Sequence, residues 1–228
     1  MSTENGTNGT KIAQNREAEF LGRITASVTH ELRNVLAIIQ ESSGLAEDLL
    51  AAGDDAGGKR SDRLVTTLST INNQITRGVD LLGHLNRLAH GPDESVASVF
   101  LNQQVAQATA LAERFARQKN VALHAEPRSS ELASNTSPLA LQMALAAAIE
   151  CFLQHLSSGE TITLSAEVFD GAPTIAISCR DGSGNPPSGL DDIAQSPCWA
   201  TLVELTDNLG GRIQIDKPAA RVRLIFSS

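Results

Sequence analysis

Up to about residue 91 apolar residues recur every three or four positions; beyond it, short alternating runs and shorter helical runs take turns. Leu21, Ile24, Val28, Leu32, Val35 and Ile39 form one stripe at helical spacing and predict a helix from about residue 14 to 52. Leu64, Leu68, Ile71, Ile75, Val79, Leu82 and Leu85 form a second, in steps of three and four close to a heptad, with Ser61 or Asp62 as the candidate N-cap. The glycine-rich, charged "AGDDAGGKR" between them predicts an antiparallel hairpin, each arm roughly 45 to 60 Å long. Such a hairpin buries one stripe per helix, too little core to stand alone. Two copies pairing into a four-helix bundle, hence a homodimer, is the expectation; the alternative is packing on the C-terminal part of the same chain.

The break "HGPDESVAS" reads as a linker. After it the pattern predicts a helix over 102–118, a strand over 121–126, a helix over 137–156, strands over 161–169 and 174–180, a helix over 198–209, and strands over 211–216 and 220–226. Pro138 after Ser137 marks a capped helix start, and "DGAP" a turn between strands. The strands alternate apolar and polar residues, so helices cover one sheet face. The expected fold class is α+β: a disordered tail over 1–13, a helical hairpin over 14–91, and an α/β two-layer sandwich over 98–228.

Composition narrows what such a chain does. A net charge of -8 and 3% aromatic residues leave neither the basic footprint nor the stacking groups of a nucleic-acid binder. No apolar run approaches a membrane span and the first residues are polar, so the expectation is a cytoplasmic protein without membrane contact. Cys151, Cys198 and Cys179 are odd in number, far apart and not in CxxC spacing, which predicts buried free thiols rather than a disulfide framework or a metal site.

Inside the first helix, "SVTHELRNVL" sets His30 on the side opposite the apolar stripe, with Asn34 one turn on and Glu31 about a quarter turn aside. An exposed imidazole acts as a nucleophile through one ring nitrogen when an acceptor holds the other protonated, and Glu31 is a candidate acceptor. Arg33 can offset phosphate charge and Asn34 can position a water or a phosphoryl oxygen. His84, His90, His124 and His155 lack these companions.

"ASVTHELRNVLAII" resembles the H-box of the sensor histidine kinases, His-Glu-x-Arg-(Asn or Thr)-Pro-Leu in a dimerising hairpin; His30, Glu31, Arg33, Asn34 and Leu36 match, and Val35 replaces the proline. The resemblance implies that His30 is the phosphoacceptor, Glu31 its activating partner and Asn34 an aid to transfer or dephosphorylation. Without the proline a straighter helix is expected.

From about residue 98 the order of elements is similar to the kinases' ATP-binding domain of the GHKL/Bergerat group, but its ligand motifs are degenerate. "LQMALAAAIECFLQHL" offers no asparagine for magnesium, and Glu150 falls at that position. In "SCRDGSGNPP" the adenine motif Asp-x-Gly-x-Gly is half present: Asp181 is out of register with Gly182 and Gly184. "QSPCWATLVEL" lacks the glycines that close over phosphate, although "LGGRIQI" matches the family's helix-to-strand junction.

The chain is therefore similar to the ChpT-type phosphotransferases. That resemblance implies transfer of a phosphoryl group from the receiver domain of a hybrid kinase to His30 and on to the receivers of response regulators. No cofactor or metal is expected on this chain, and magnesium is expected on the partner receiver. The alternatives are a divergent sensor kinase that phosphorylates His30 from ATP, and a non-enzymatic receiver-docking adaptor or phosphatase-like regulator.

Overall fold

The computed structural model describes residues 3–52, 58–91, 96–127, 131–187 and 192–226, with side chains from residue 14 onwards. The middle of the glycine-rich turn and of the linker lie outside the described residues. Helix α1 (Thr3–Ala51) is followed by α2 (Lys59–His90), folded back along it. The backbone of α1 is helical through residues 3–13, where the sequence predicted a tail; no proline interrupts that stretch, and adding residues to an existing helix costs far less than nucleating one. Helix α2 starts earlier than Ser61 or Asp62: Gly58 is its N-cap, with the positive φ of 72° that glycine adopts without a Cβ clash.

The hairpin corrects the second apolar stripe, which is two stripes side by side. Thr67, Gly78, Leu81 and Leu88 are buried, with Leu64, Ile71, Gln74 and Leu85 half-buried between them in a three-four repeat facing α1. Val65, Leu68, Ile75, Val79 and Leu82 form a second three-four repeat, broken by Asn72, that stays exposed. Gly78 lets the helices approach closely, since a Cβ there would stand 3.3 Å from Val35 Cγ1.

The remainder is β1 (Ala97–Phe100), α3 (Leu101–Gln118), β2 (Ala122–Glu126), β3 (Ala133–Thr136), α4 (Pro138–His155), β4 (Thr161–Phe169), β5 (Ala172–Arg180), α5 (Pro197–Asn208), β6 (Arg212–Asp216) and β7 (Arg221–Ile225). Five strands form one sheet in the order β2-β4-β5-β7-β6, with only the β2–β4 pair parallel. Strands β1 and β3 pair separately; at four residues each they are too short to show an alternation, and the sequence did not predict them.

The predicted helix start holds, with Ser137 Oγ accepting from the Ala140 amide at 3.3 Å and Pro138 in the first turn. The β4–β5 turn is made by Asp170 and Gly171, both at positive φ as a tight hairpin turn requires.

Cross-strand register aligns Ile162 with Cys179, Leu164 with Ile177, and Ile175 and Ile177 with Leu224 and Val222, so one sheet face is apolar and lies under the helices. The opposite face carries Arg223, which donates to Glu167 at 3.1 Å and stacks 4.4 Å from the Phe169 ring centre. This is the two-layer sandwich expected. Helix α4 is apolar almost all round because it is covered twice: Leu141, Leu145, Ile149 and Phe152 pack into the sandwich, while Leu139 and Ala146 face the hairpin. Phe20, Ile24, Val28, Leu81 and Leu88 complete that second cluster with Leu111 of α3, so the hairpin does pack on the C-terminal part of its own chain. No helix among the described residues is long and apolar enough to cross a membrane.

Two of the three thiols expected to be free are joined: Cys151 in α4 and Cys198 at the start of α5 form a disulfide, their Cα atoms 5.3 Å apart. Packing of α4 on α5 brings them together across a separation of 47 residues, which spacing rules do not anticipate. Cys179 remains a free, buried thiol, pushed up to about 12 chiefly by burial.

His84, half-buried on α2, accepts a hydrogen bond at Nδ1 from Arg87 Nη2 at 2.8 Å. Burial first, and then the Arg87 charge, lower its pKa below 6.5, against a smaller opposing pull from Asp80. The unfolded chain therefore binds this proton more readily, and stability is expected to be full above pH 6.5 and to fall as pH drops through it. Urea midpoints on either side of that pH check this: wild type should lose more than His84→Gln.

Candidate functional site

On α1, His30 is exposed and Asn34, one turn later, is exposed beside it, with Asn34 Nδ2 3.5 Å from His30 Nδ1. The outward position follows from local sequence: Ile24, Val28 and Val35 are buried on the other side of the helix and leave His30 on the wet one. Arg33 is exposed on the same turn. His30 and Asn34 are thus neighbours at the surface, the arrangement read from helical spacing, and Arg33 is exposed between them in sequence.

Glu31 is not arranged as predicted. Its side chain is 8% exposed, and its Oε2 accepts from Arg117 Nη2 of α3 at 2.6 Å and from Arg77 Nη2 of α2 at 3.1 Å. Oε1 takes the Asn34 amide at 3.4 Å. A carboxylate only accepts, so the amide nitrogen of Asn34 faces both Glu31 and the imidazole, and Asn34 stands between them. Both contacts are long, the one to His30 exposed and the one to Glu31 part-buried. Arg77 also reaches Glu113 of α3 at 3.2 Å, and the hydrogen bond from Arg117 to Glu31 is the main cause that raises the Arg117 pKa. Glu31 therefore joins α1, α2 and α3 directly beneath His30.

Arg77, Arg117 and Glu113 were missed by sequence reasoning. They lie 46, 86 and 82 positions from Glu31, and charged residues on helix surfaces carry no local signal of their partners.

Of the four degenerate nucleotide positions, Glu150 and the loop that holds Asp181, Gly182 and Gly184 each have partners of their own. Glu150 faces α1, where both carboxylate oxygens meet Arg23 Nη1, at 2.8 and 2.9 Å. Asp181 Oδ1 accepts from the Ser183 and Asn185 amides at 2.8 Å each, closing its own loop, in which Gly184 has a φ of 83° and Gly182 is in open space. A cavity of about 170 Å³ between Phe152, Pro186, Pro187, Ile193 and the β6–β7 hairpin is lined by none of the four. Glu150, at the position the resemblance gives to magnesium, is thus paired with a cation of the hairpin.

No family model and no curated protein matches this chain. Solved structures similar to it include the Acinetobacter baumannii histidine kinase AdeS, at 15% identity and TM-score 0.46 over 87% of this chain and 97% of that one. The histidine kinase ThkA in complex with the response regulator TrrA is similar at 15% and 0.45, over 96% of this chain and 65% of that one. The ATP-binding domain of PrrB from Mycobacterium tuberculosis is similar at 20% and 0.43, over 59% and 96%. These are distant likenesses, and the functional reading rests on the residues of this chain.

Proposed function

We propose that the protein is a histidine phosphotransferase of a two-component phosphorelay, which takes a phosphoryl group on His30 from the aspartyl phosphate of one receiver domain and passes it to the aspartate of another. The observation that carries this is the exposed imidazole of His30, flanked in sequence by Arg33 and Asn34 and hydrogen-bonded, among the described residues, to Asn34 alone. In the forward step an imidazole nitrogen attacks phosphorus, the P–O bond to the aspartyl carboxylate breaks, a P–N bond forms, and the ring proton leaves to water. Arg33 offsets charge on the phosphoryl oxygens and Asn34 orients the ring. The residues given to magnesium and adenine in the kinases are committed elsewhere here, Glu150 to Arg23 and Asp181 to its own loop, which favours a receiver over ATP as the donor and leaves magnesium to the receiver.

The exposed stripe of α2 supports a homodimer. Val65, Leu68, Asn72, Ile75, Val79 and Leu82 continue at heptad spacing on the side away from the sandwich, and Leu36, Ile38, Leu45 and Leu50 add exposed apolar surface on α1. A second copy presenting the same stripe completes a four-helix bundle with His30 outside its seam.

The test offers labelled ATP in one tube and a phosphorylated receiver in another. Label is expected from the receiver within minutes and none from ATP; labelling from ATP alone would overturn the proposal.

Glu31 separates a supporting residue from a reacting one. Glu31→Gln is expected to cost about 2 kcal/mol of stability, the order of a charged hydrogen bond, read as a lowered denaturant midpoint. Phosphoryl acceptance should stay within about tenfold of wild type; a loss beyond about a hundredfold would show the carboxylate acting on the ring as a general base.

A further inference from the structure

Cys151 and His155 occupy positions one turn apart on α4, and Cys198 stands in the first turn of α5 just after Pro197. Among the described residues these three form a group in which the two Sγ atoms and one ring nitrogen of His155 all lie within 4.8 Å of one another. Tetrahedral zinc, with Zn–S near 2.3 Å and Zn–N near 2.0 Å, sets its ligand atoms about 3.5 to 3.8 Å apart, so shifts on the order of 1 Å suffice once the sulfurs are separate. His155 Nδ1 lies 2.8 Å from the Cys151 carbonyl, which can only accept. The proton is therefore on Nδ1, and Nε2 keeps the lone pair a metal needs, with its ring orientation already held by the backbone. Ser196 Oγ sits 3.0 Å from Cys198 Sγ and 3.7 Å from Cys151 Sγ, and donates to the Ile193 carbonyl at 2.6 Å. Cys151 is fully buried, while Cys198 and His155 are half-buried, leaving one side open to water and to entry.

We propose that the reduced Cys151–Cys198 pair and His155 form a binding site for a soft divalent cation, Zn²⁺ in the first place, and that the disulfide is the metal-free alternative of the same site. Two thiolates and one imidazole supply three ligands, and water completes the tetrahedron. The two states interconvert by exchange with a low-molecular-weight disulfide. One protein thiolate attacks it and expels a thiolate; the second protein thiolate attacks the mixed disulfide and expels the other. Two electrons pass from the protein sulfurs to the small disulfide, two protons from water complete two small thiols, and the cation is released. Cys179 takes no part: its buried thiol stays protonated and lies on β5. The site is separate from His30, so its failure would leave the phosphotransfer proposal standing.

The full chain, reduced with a phosphine that does not bind zinc, is titrated with Zn²⁺ against a chromophoric chelator, and with Co²⁺ to read the thiolate-to-metal charge-transfer band. Expected are one Zn²⁺ per chain for reduced protein, none for oxidised protein, and a charge-transfer band that Cys198→Ser weakens. His155→Ala should lower affinity at least about tenfold. Circular dichroism establishes that each protein is folded. Absence of the charge-transfer band in folded, reduced wild type overturns the site, as does His155→Ala with unchanged affinity and spectrum.

Discussion

His30→Gln is expected to abolish phosphoryl acceptance from a phosphorylated receiver, reducing label to background, while the protein keeps its fold and its oligomeric state. The side chain is exposed and makes one long hydrogen-bond contact among the described residues, to Asn34 at 3.5 Å, so stability should change by no more than about 0.5 kcal/mol. Glutamine keeps polarity and approximate length but has no nucleophilic nitrogen, which makes the loss chemical rather than structural. The same exchange at His84, His90, His124 or His155 should leave acceptance intact. A folded His30→Gln protein that still takes up label would place the phosphoacceptor elsewhere.

The second large effect concerns the bundle. Ile75→Glu combined with Leu82→Glu is expected to convert a dimer to a monomer in sedimentation or light-scattering measurements, without loss of helicity. Both side chains are about half exposed in one chain, 48% and 53%, so a lone chain tolerates glutamate there. In the seam of two copies the changes bring four carboxylates together and remove the burial of four large aliphatic groups. At 1.5–3 kcal/mol for each fully buried side chain, half of it already gained within one chain, the loss is about 4 kcal/mol, on the order of a thousandfold in dissociation constant. A wild-type protein that is monomeric at high concentration, or a variant that still dimerises as wild type does, would contradict the bundle.

How far the sequence could be read differs from element to element. Strand β4 appears at the predicted 161–169, and α3, α4 and α5 fall within a residue of their predicted bounds, because Pro138, Ser137 and the "DGAP" turn are local signals that need no distant partner. The outward face of His30 was equally legible, since a helix of known period has only one wet side. The second stripe was read as one and is two: Leu64, Ile71 and Leu85 turn to α1 while Leu68, Ile75, Val79 and Leu82 turn out, a difference of one helical position that apolar content alone does not resolve.

Helical spacing and turn chemistry by themselves determined that this chain is a hairpin followed by a two-layer α/β sandwich, and that His30 and Asn34 share an outward face. Only the tertiary structure decided that Glu31 is held by Arg77 and Arg117, that Glu150 of α4 pairs with Arg23 of the hairpin, and that Cys151, His155 and Cys198 meet at the junction of α4 and α5. The physical reason is range. Backbone periodicity is written within a few consecutive residues, whereas an ion pair or a ligand cluster depends on which helix faces are pressed together, and that is settled by burial of apolar surface elsewhere in the chain.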